Sequence, residues 1–307
     1  MILVFGSINL DLVVEVEHLP RPGETVLGPG YRKVAGGKGA NQALAARRTG
    51  AEVALAGAVG TDEFAGVALA LLREDGVDLS LLRTDPDTPT GCAFICVDRR
   101  GENLIAVASG ANRLARAAQV PDDRLGPGTT LLLQMEIPAE ETFSIARRAH
   151  AAGAHTLLNV APAAPIPIEA LADLDWLLLN EGEAATVARG LGLAAAGPHE
   201  TAGRIAEATD VGVVVTLGAE GAVAAVGAER WAVQALLVEP VDTTGAGDAF
   251  VGAFAAALDL GRPVEEALRF ASAAGGLACL VLGAQPSLPR RDAIERALAR
   301  LPAAAPF

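Results

Sequence analysis

The stretch "TLLLQMEIPAEETFSIARRAHAAGAHTLLNVAPA", residues 130–163, decides the fold class, because it joins two short apolar runs through one helical segment. The segment between the runs is rich in alanine and arginine. An apolar run, a helix and a second apolar run form a βαβ unit, which is typical of a parallel sheet covered by helices.

The same rhythm continues on both sides of this unit. Further apolar runs, each separated from the next by helical stretches, are "EVALAGAVG" at 52–60, "WLLLNEGEA" at 176–184 and "GVVVTLGAEG" at 212–221. They predict an α/β fold, with a doubly wound, mostly parallel sheet flanked by helices. No internal repeat and no long linker divides the chain, so residues 1–307 are predicted to form a single domain.

Two strand-rich patches, within residues 9–34 and 90–110, do not follow this alternation. The second, "TGCAFICVDRRGENLIAVASG", predicts a hairpin that turns at residues 99–101. We expect the two patches to form a small second sheet, a lid over the ligand-binding cleft of the main sheet.

Polar residues recur at one end of the apolar runs: Glu136, Asn159, Asn180 and Thr216. In an open parallel sheet, ligands bind outside the carboxyl ends of the strands. Four polar residues at equivalent positions therefore indicate one shared cleft.

Composition excludes several classes of protein. A net charge of −13 argues against binding nucleic acid through its phosphates. The three cysteines and four histidines show neither a disulfide framework nor metal-ligand spacing. With no visible secretion signal and no apolar stretch long enough to cross a bilayer, we expect a cytoplasmic protein without a membrane partner.

A glycine-rich loop, "VAGGKGANQA" at residues 34–43, has the look of a phosphate-binding P-loop. That motif requires Ser or Thr after its lysine, yet Lys38 is followed by Gly39. The position of its first glycine is occupied by Arg32. The sequence therefore argues against a P-loop here, and another role for the loop is needed.

A second loop, "DTTGAGDAFVGAF" at residues 242–254, is the better anion site. Gly245, Ala246 and Gly247 lie where a helix should begin, so their free amides would face an anion at the positive end of the helix dipole. Asp248 would repel a resident phosphate there, but it suits accepting a proton from an alcohol that attacks a phosphoryl group. A dinucleotide fingerprint is weak, since the third glycine is missing.

These motifs together resemble the ribokinase-like (pfkB) family of carbohydrate kinases, over nearly the whole chain. The motifs that carry the resemblance are "GSINLD" at 6–11, "LPRPGET" at 19–25, "GGKGANQA" at 36–43, "DTTGAGDAFVGAF" at 242–254 and "GAQPS" at 283–287. The shorter motifs "LLLQMEIP", "NVAPA", "LLLNEGEA" and "VTLGAEG" lie between them in the family's order.

The resemblance implies a role for each matching residue. The catalytic base is Asp248, and the anion hole is formed by Gly245, Ala246 and Gly247. The implied sugar contacts are Asn9, Asp11, Gly37, Lys38, Asn41, Glu136 and Asp248. The glycines of the substrate loop, residues 36–43, are expected to let the backbone approach a sugar closely.

The resemblance also implies ATP, Mg²⁺ and K⁺ as cofactors. The implied nucleotide contacts are Asn180, Thr216, Gly218, Gly221, Gly247 and Ser272. Glu183 is expected to position Mg²⁺ through water. The implied monovalent-cation ligands are Asp242, Thr244, Ala278, Val281, Gly283 and Ser287.

The implied activity is transfer of the ATP γ-phosphoryl group to the 5-hydroxyl of D-ribose, giving ribose 5-phosphate and ADP. Asp11, the substrate loop and Glu136 favour ribose, whereas Thr244-Gly245 fits the wider family and leaves other small sugars open. Alternatives are a kinase of fructose, ketodeoxygluconate, deoxyribose or an adenosine-type nucleoside, and a non-catalytic sugar sensor. A single tyrosine argues against a nucleobase clamp.

The lid strands are expected to form a homodimer contact.

Overall fold

The computed structural model describes residues 1–307. Its strands are β1 Ile2–Phe5, β2 Asn9–Glu15, β3 Tyr31–Gly36, β4 Val53–Gly60, β5 Leu82–Asp85, β6 Gly91–Val97, β7 Asn103–Ala108, β8 Thr130–Leu133, β9 His155–Asn159, β10 Trp176–Asn180, β11 Gly212–Thr216, β12 Ala222–Val226, β13 Glu229–Val233 and β14 Ala305–Pro306. Its helices are α1 Lys38–Arg48, α2 Glu63–Ala68, α3 Ala70–Glu74, α4 Ala139–Ala151, α5 Ile168–Leu171, α6 Glu181–Gly190, α7 Pro198–Thr209, α8 Ala246–Asp259, α9 Val264–Ala278, α10 Ala284–Ser287 and α11 Arg291–Leu298. Short 3-10 segments are Gly110–Leu114, Ala117–Gln119, Asp122–Arg124 and Gly218–Glu220.

The main sheet has ten strands in the order β14-β13-β12-β11-β10-β9-β8-β1-β4-β5. All pairings from β11 to β5 are parallel, and those among β11, β12, β13 and β14 are antiparallel. The turns before and after β12 are too short for a crossover connection, so β12 runs antiparallel to both of its neighbours, β11 and β13. The predicted fold class, a mostly parallel sheet flanked by helices, is confirmed.

The unit that opened the sequence analysis folds as β8, α4 and β9. Strands β8 and β9 pair in parallel, with Thr130 opposite His155. Helix α4 turns Phe143, Ala146 and Ala149 towards the sheet, at the spacing expected of an amphipathic helix. Burial of this apolar stripe stabilises the crossover.

Both faces of the main sheet are covered. Along β1, Ile2 and Val4 belong to the core under α1, α8 and α9, whereas Leu3 and Phe5 belong to the core under α4, α6 and α7. All four side chains are fully buried. Burial on both faces explains why the strands have continuous apolar runs rather than alternating ones.

The second sheet is separate and has the order β3-β2-β6-β7. Strands β6 and β7 form the predicted hairpin, and β3 extends to Gly36, two residues beyond the predicted patch. Alternation places Asp11 on one face of β2 and its neighbour Leu12, paired with Phe94, on the other. We call these four strands the lid sheet.

None of the helices is both long and apolar enough to cross a membrane.

Candidate active site

The start of α8 carries the predicted anion-binding turn. Its N-cap residue, Gly245, has a φ of 79°, a left-handed conformation that other residues disfavour. The amide of Ala246 donates to the carbonyl of Thr243 at 3.2 Å, whereas the amides of Gly245 and Gly247 have no acceptor within the protein. Two N–H groups at the positive end of the helix dipole are therefore free to bind an anion.

Asp248, one residue further on, is buried and held by two side-chain amides of α1. Asn41 Nδ2 donates to its Oδ2 at 2.8 Å, and Gln42 Nε2 donates to its Oδ1 at 2.9 Å. The carboxylate lines a cavity of about 150 Å³ together with Lys38 and Gly247. Each carboxylate oxygen can accept two bonds, so both keep capacity to take a proton.

Asn41 was predicted to contact a sugar directly. Its Nδ2 is occupied by Asp248, but its Oδ1 is buried and accepts no hydrogen bond. A buried carbonyl oxygen without a donor is destabilising. A ligand hydroxyl would supply that donor, so Asn41 can link the ligand to Asp248.

Lys38, the first residue of α1, lies among three carboxylates. Glu136 Oε2 accepts a hydrogen bond from the Lys38 amide at 3.0 Å and one from the Ser7 hydroxyl at 2.5 Å. The charge of Asp248 raises the pKa of the Lys38 ammonium group; burial opposes this, and Glu136 and Glu183 reinforce it. The ammonium group is therefore charged at neutral pH, and Lys38 lines the same cavity as Gly245 and Gly247.

Asn9 lies on β2 and is positioned by a residue that the sequence did not point out. Its Oδ1 accepts a hydrogen bond from Asn112 Nδ2 at 2.7 Å. Asn112 also pairs with both backbone groups of Ile8, at 2.9 and 3.1 Å, as a neighbouring strand would. Because Asn112 is 103 residues away along the chain, only the fold reveals this contact.

Two glycines of the substrate loop lie against the start of β2. Gly37 has a φ of 88°, and a Cβ there would lie 2.7 Å from the Asn9 backbone nitrogen. A Cβ on Gly36 would lie 2.3 Å from Oδ2 of Asp11. The missing side chains thus let the loop pack on β2, and this packing places the Asp11 carboxyl group against the loop.

Asp11 has a strongly shifted titration. Burial, followed by the charges of Glu136 and Asp248, raises its pKa to about 7. It lines a cleft of about 610 Å³ between the lid sheet and the loop that contains Asp242 and Thr244. A carboxyl group that changes charge near neutral pH is typical of a binding or catalytic site.

The stability of the protein should depend on pH through the titration of Asp11. Between the unfolded pKa near 3.8 and the folded value of about 7, the folded state holds a proton on Asp11 that the unfolded state has lost. The contribution of Asp11 to the free energy of unfolding therefore falls as pH rises. From pH 5 to 8 the Tm of the protein should fall relative to that of the Asp11→Asn variant, by on the order of a few °C. Scanning calorimetry at several pH values measures the difference.

A matched control is Asp292→Asn. Its hydrogen bond from Arg296 lowers the pKa of Asp292, so the titration of this exposed carboxylate lies below the measured window. The Tm difference for this control should be constant from pH 5 to 8. A constant difference for Asp11→Asn as well would contradict the prediction.

Beside the cavity of about 150 Å³ that contains Asp248, the smaller cavity, lies one of about 320 Å³, the larger cavity. Thr216 and Gly247 line both. The walls of the larger cavity are largely apolar, as suits a nucleobase. Of the residues predicted to bind nucleotide, those lining the larger cavity are Thr216, Gly218, Gly221, Gly247 and Ser272, and the one lining only the smaller cavity is Asn180.

The structure refines the walls of the larger cavity. The Ser272 hydroxyl donates to the carbonyl of Gln234 at 2.8 Å, so it anchors α9 to the segment after β13. Leu236 and Phe250 provide much of the apolar wall and were not predicted. A Cβ on Gly276 would lie 2.7 Å from the Cβ of Leu236, so this glycine is the local signal for the contact.

Asn180 and Glu183 form a capping box at the start of α6. Asn180 Oδ1 accepts from the Glu183 amide at 2.8 Å, and Glu183 Oε2 accepts from the Asn180 amide at 2.7 Å. Burial raises the pKa of Glu183, against the Asn180 hydrogen bond and the charge of Lys38. Its Oε1 accepts no bond from the protein, and Glu183 lines the smaller cavity. The motif therefore has a structural role and leaves one carboxylate oxygen available.

The residues predicted for a monovalent cation lie on the loop before α8 and on the segment from the end of α9 to the end of α10: Asp242, Thr244, Ala278, Val281, Gly283 and Ser287. The Asp242 carboxylate joins the loop to the segment, accepting from the amides of Thr244 at 2.9 Å and Gly283 at 2.8 Å. Burial works against ionisation, but these bonds prevail and lower the pKa of Asp242. The Ser287 hydroxyl donates to the Ala284 carbonyl at 2.7 Å.

Comparison with known proteins shows the family to which the chain belongs. The model of the pfkB family carbohydrate kinases matches residues 1–291. The chain is 36% identical over 299 residues to a ribokinase from Bacillus subtilis, an alignment covering 97% of this chain and 99% of that one. A ribokinase structure from Thermotoga maritima aligns with a TM-score of 0.90 at 34% identity, covering 97% and 99% of the two chains. A structure of Arabidopsis thaliana ribokinase complexed with ribose and ATP aligns with a TM-score of 0.85 at 33% identity, covering 97% and 98%. The chain belongs to the pfkB family of carbohydrate kinases.

Proposed function

We propose that this chain transfers the γ-phosphoryl group of ATP to the 5-hydroxyl of D-ribose, giving ribose 5-phosphate and ADP. The observation that carries the proposal is the placement of Asp248 in a cavity that also holds two unpaired amides and Lys38 and opens into an apolar pocket. The Arabidopsis relative, 33% identical, was solved with ribose and ATP, the same pair of substrates.

The chemistry follows from the position of each group. Asp248 accepts the proton of the attacking hydroxyl. The amides of Gly245 and Gly247, with the ammonium group of Lys38, stabilise the charge that develops on the transferring phosphoryl group. Positioning and charge stabilisation are what phosphoryl transfer requires from a protein.

Mg²⁺ fits this site as a partner of the phosphates. The ion prefers water and phosphate ligands with one or two carboxylates, and Glu183 supplies a single carboxylate oxygen free of protein donors. Glu183 would hold the ion through water, and the ion would offset phosphate charge. For K⁺ we propose the loop and the segment joined by Asp242, whose carboxylate supplies negative charge beside α8.

Sugar recognition is assigned to the polar groups around Asp248. Asn41 Oδ1 is a buried acceptor in need of a hydroxyl donor. The carboxyl groups of Asp11 and Glu136 can each accept from neighbouring hydroxyls of one sugar, and Asn9 lies beside Asp11 on β2. Several acceptors around one small site fit a polyol better than a nucleobase.

We also propose a homodimer formed through the lid sheet, and a single cytoplasmic domain of residues 1–307. Phe94 and Leu104 lie on the face of the lid sheet that points away from Asp11, since Leu104 pairs with Cys96, which is two residues beyond Phe94 on β6. About half of Phe94 and nearly half of Leu104 are exposed there. Exposed apolar side chains that lie together on one face are typical of a protein contact surface, and a twofold contact would cover them with the same face of a second copy. A monomeric mass in sedimentation equilibrium would rule out the dimer.

The function is tested by measuring ADP release with a panel of acceptors. We expect kcat/KM for ribose to exceed that for fructose, ketodeoxygluconate, deoxyribose or adenosine by at least about tenfold. Deoxyribose lacks a hydroxyl and would leave an acceptor unpaired, and the other three differ from ribose in size and in the positions of their hydroxyls. Added K⁺ should raise the rate, and chelation of Mg²⁺ should abolish it. A preference for another acceptor would replace ribose, and ribose binding without ADP release would indicate a sensor.

A further inference from the structure

Gln42 is a buried polar residue that none of the roles above uses. It lies on α1 with no exposed surface, next to Asn41 and among alanines. Its Nε2 donates to Asp248 Oδ1 and to Asn159 Oδ1, both at 2.9 Å, and its Oε1 accepts from Gln134 Nε2 at 2.7 Å. Both hydrogens and the carbonyl of this amide are therefore engaged.

The partners of Gln42 permit only one orientation of its amide. Asn159 Nδ2 donates to the Leu178 carbonyl of β10 at 3.0 Å, so Asn159 must present its oxygen to Gln42. A flipped Gln42 amide would place its oxygen against the oxygens of Asn159 and Asp248, and its nitrogen against the Gln134 donor. The sheet thus fixes Asn159, which in turn fixes Gln42.

The packing around this chain of amides is tight. A Cβ on Gly6 would lie 2.0 Å from Gln134 Oε1, and a Cβ on Gly252 would lie 2.6 Å from the backbone oxygen of Gln42. Two glycines therefore allow β1 and α8 to approach Gln134 and Gln42 closely. Without free volume, the amides have little freedom to rotate.

We propose that Gln42 is a positioning residue that orients the Asp248 carboxylate for proton transfer, linking it to the ends of β8 and β9 through Gln134 and Asn159. The inference rests on the proposed function. Gln42 is neutral, so it fixes Oδ1 without placing a countercharge on the base. Asn41, by contrast, holds Oδ2 and has its own oxygen free for the ligand.

The inference predicts an effect on turnover rather than on binding. In Gln42→Met a side chain of similar length remains, but the carboxylate loses the donor on Oδ1 and can rotate about its Cβ–Cγ bond. We expect kcat to fall about 10- to 100-fold, because small misplacements of a reacting group are costly, while KM for ribose and for ATP changes by less than about threefold. Steady-state ADP release measures both constants.

A double variant, with Gln42→Met added to Asp248→Asn, distinguishes a positioning role of Gln42 from a general structural one. In the Asp248→Asn background, Gln42→Met should lower the residual kcat by less than about twofold, since the base that it orients is gone. An equal fold-loss in both backgrounds would overturn the proposal, as would a kcat within about twofold of the unaltered chain in the single variant.

Gln119→Met is the matched control. Gln119 also donates from its amide, to the carbonyls of Gly57 and Leu81, but it lies outside the active site. We expect a lower Tm and unchanged kcat, which shows that losing a partly buried amide does not by itself slow turnover.

Gln134→Met decides the question if Gln42→Met does not fold. It removes the donor that fixes the Gln42 carbonyl, and we expect kcat several-fold lower with unchanged KM. An unchanged kcat would overturn the proposal. Absence of ribose-dependent ADP release by the unaltered chain would instead contradict the proposed function, so the two failures are distinguishable.

Discussion

Asp248→Asn should lower kcat by about 100- to 10,000-fold, the range that general base catalysis contributes. The amide cannot accept the proton of the attacking hydroxyl, and its nitrogen would face a donor, from either Asn41 or Gln42. Binding should change little, because the apolar pocket and the two free amides are untouched. Steady-state ADP release gives kcat, and calorimetric titration gives Kd for ribose and ATP.

Asp292→Asn, on the exposed side of α11, is the control for the substitution itself and should retain full turnover. Near-normal turnover of Asp248→Asn would refute its assignment as the base. Loss of ribose binding together with turnover would mean that Asp248 acts mainly as a sugar contact.

Gly245→Ala should lower kcat by about 100- to 1,000-fold, the loss seen when one oxyanion-type donor is removed. The residue has a φ of 79°, and an added Cβ would lie 2.9 Å from the Ala284 Cα atom. To relieve both strains the turn must shift, which moves the amides of Gly245 and Gly247 away from the transferring group. The same steady-state assay measures the loss.

Gly261→Ala, at the other end of α8, separates strain from function. Gly261 has a φ of 75°, and nothing lies within 4 Å of the added Cβ. This variant carries a similar left-handed penalty and should lose Tm but not kcat. If Gly245→Ala lost only Tm as well, the turn would have no part in catalysis.

The parallel part of the fold could be predicted because each of its units is local. The runs at 130–163 show strand, helix and strand without reference to the rest of the chain. The order of strands across the sheet could not be predicted, since β1 lies between β8 and β4 through contacts more than 50 residues apart in one case and more than 120 in the other. The pairing of β14 with β13 likewise depends on the complete fold.

The site residues that could be predicted are those in a motif whose residue types indicate the chemistry. Asp248 follows a glycine-rich helix start, and that order alone indicates a base beside an anion hole. Ser7, Gln42 and Asn112 were missed because a buried hydrogen-bonding side chain looks like any polar residue until its partners are known. For Gln42 a signal was present, since a polar residue on an alanine-rich helix such as α1 must find partners inside the protein.

The carboxylates of the site belong to two different parts of the molecule. Asp11 is carried by the lid sheet, whereas Asp248 is tied through amides to the ends of the main-sheet strands. A ligand that touches both carboxylates would therefore contact the lid sheet and the main sheet at the same time. Such a ligand would link two sheets that share no strand, so the position of the lid sheet relative to Asp248 would depend on whether the site is occupied.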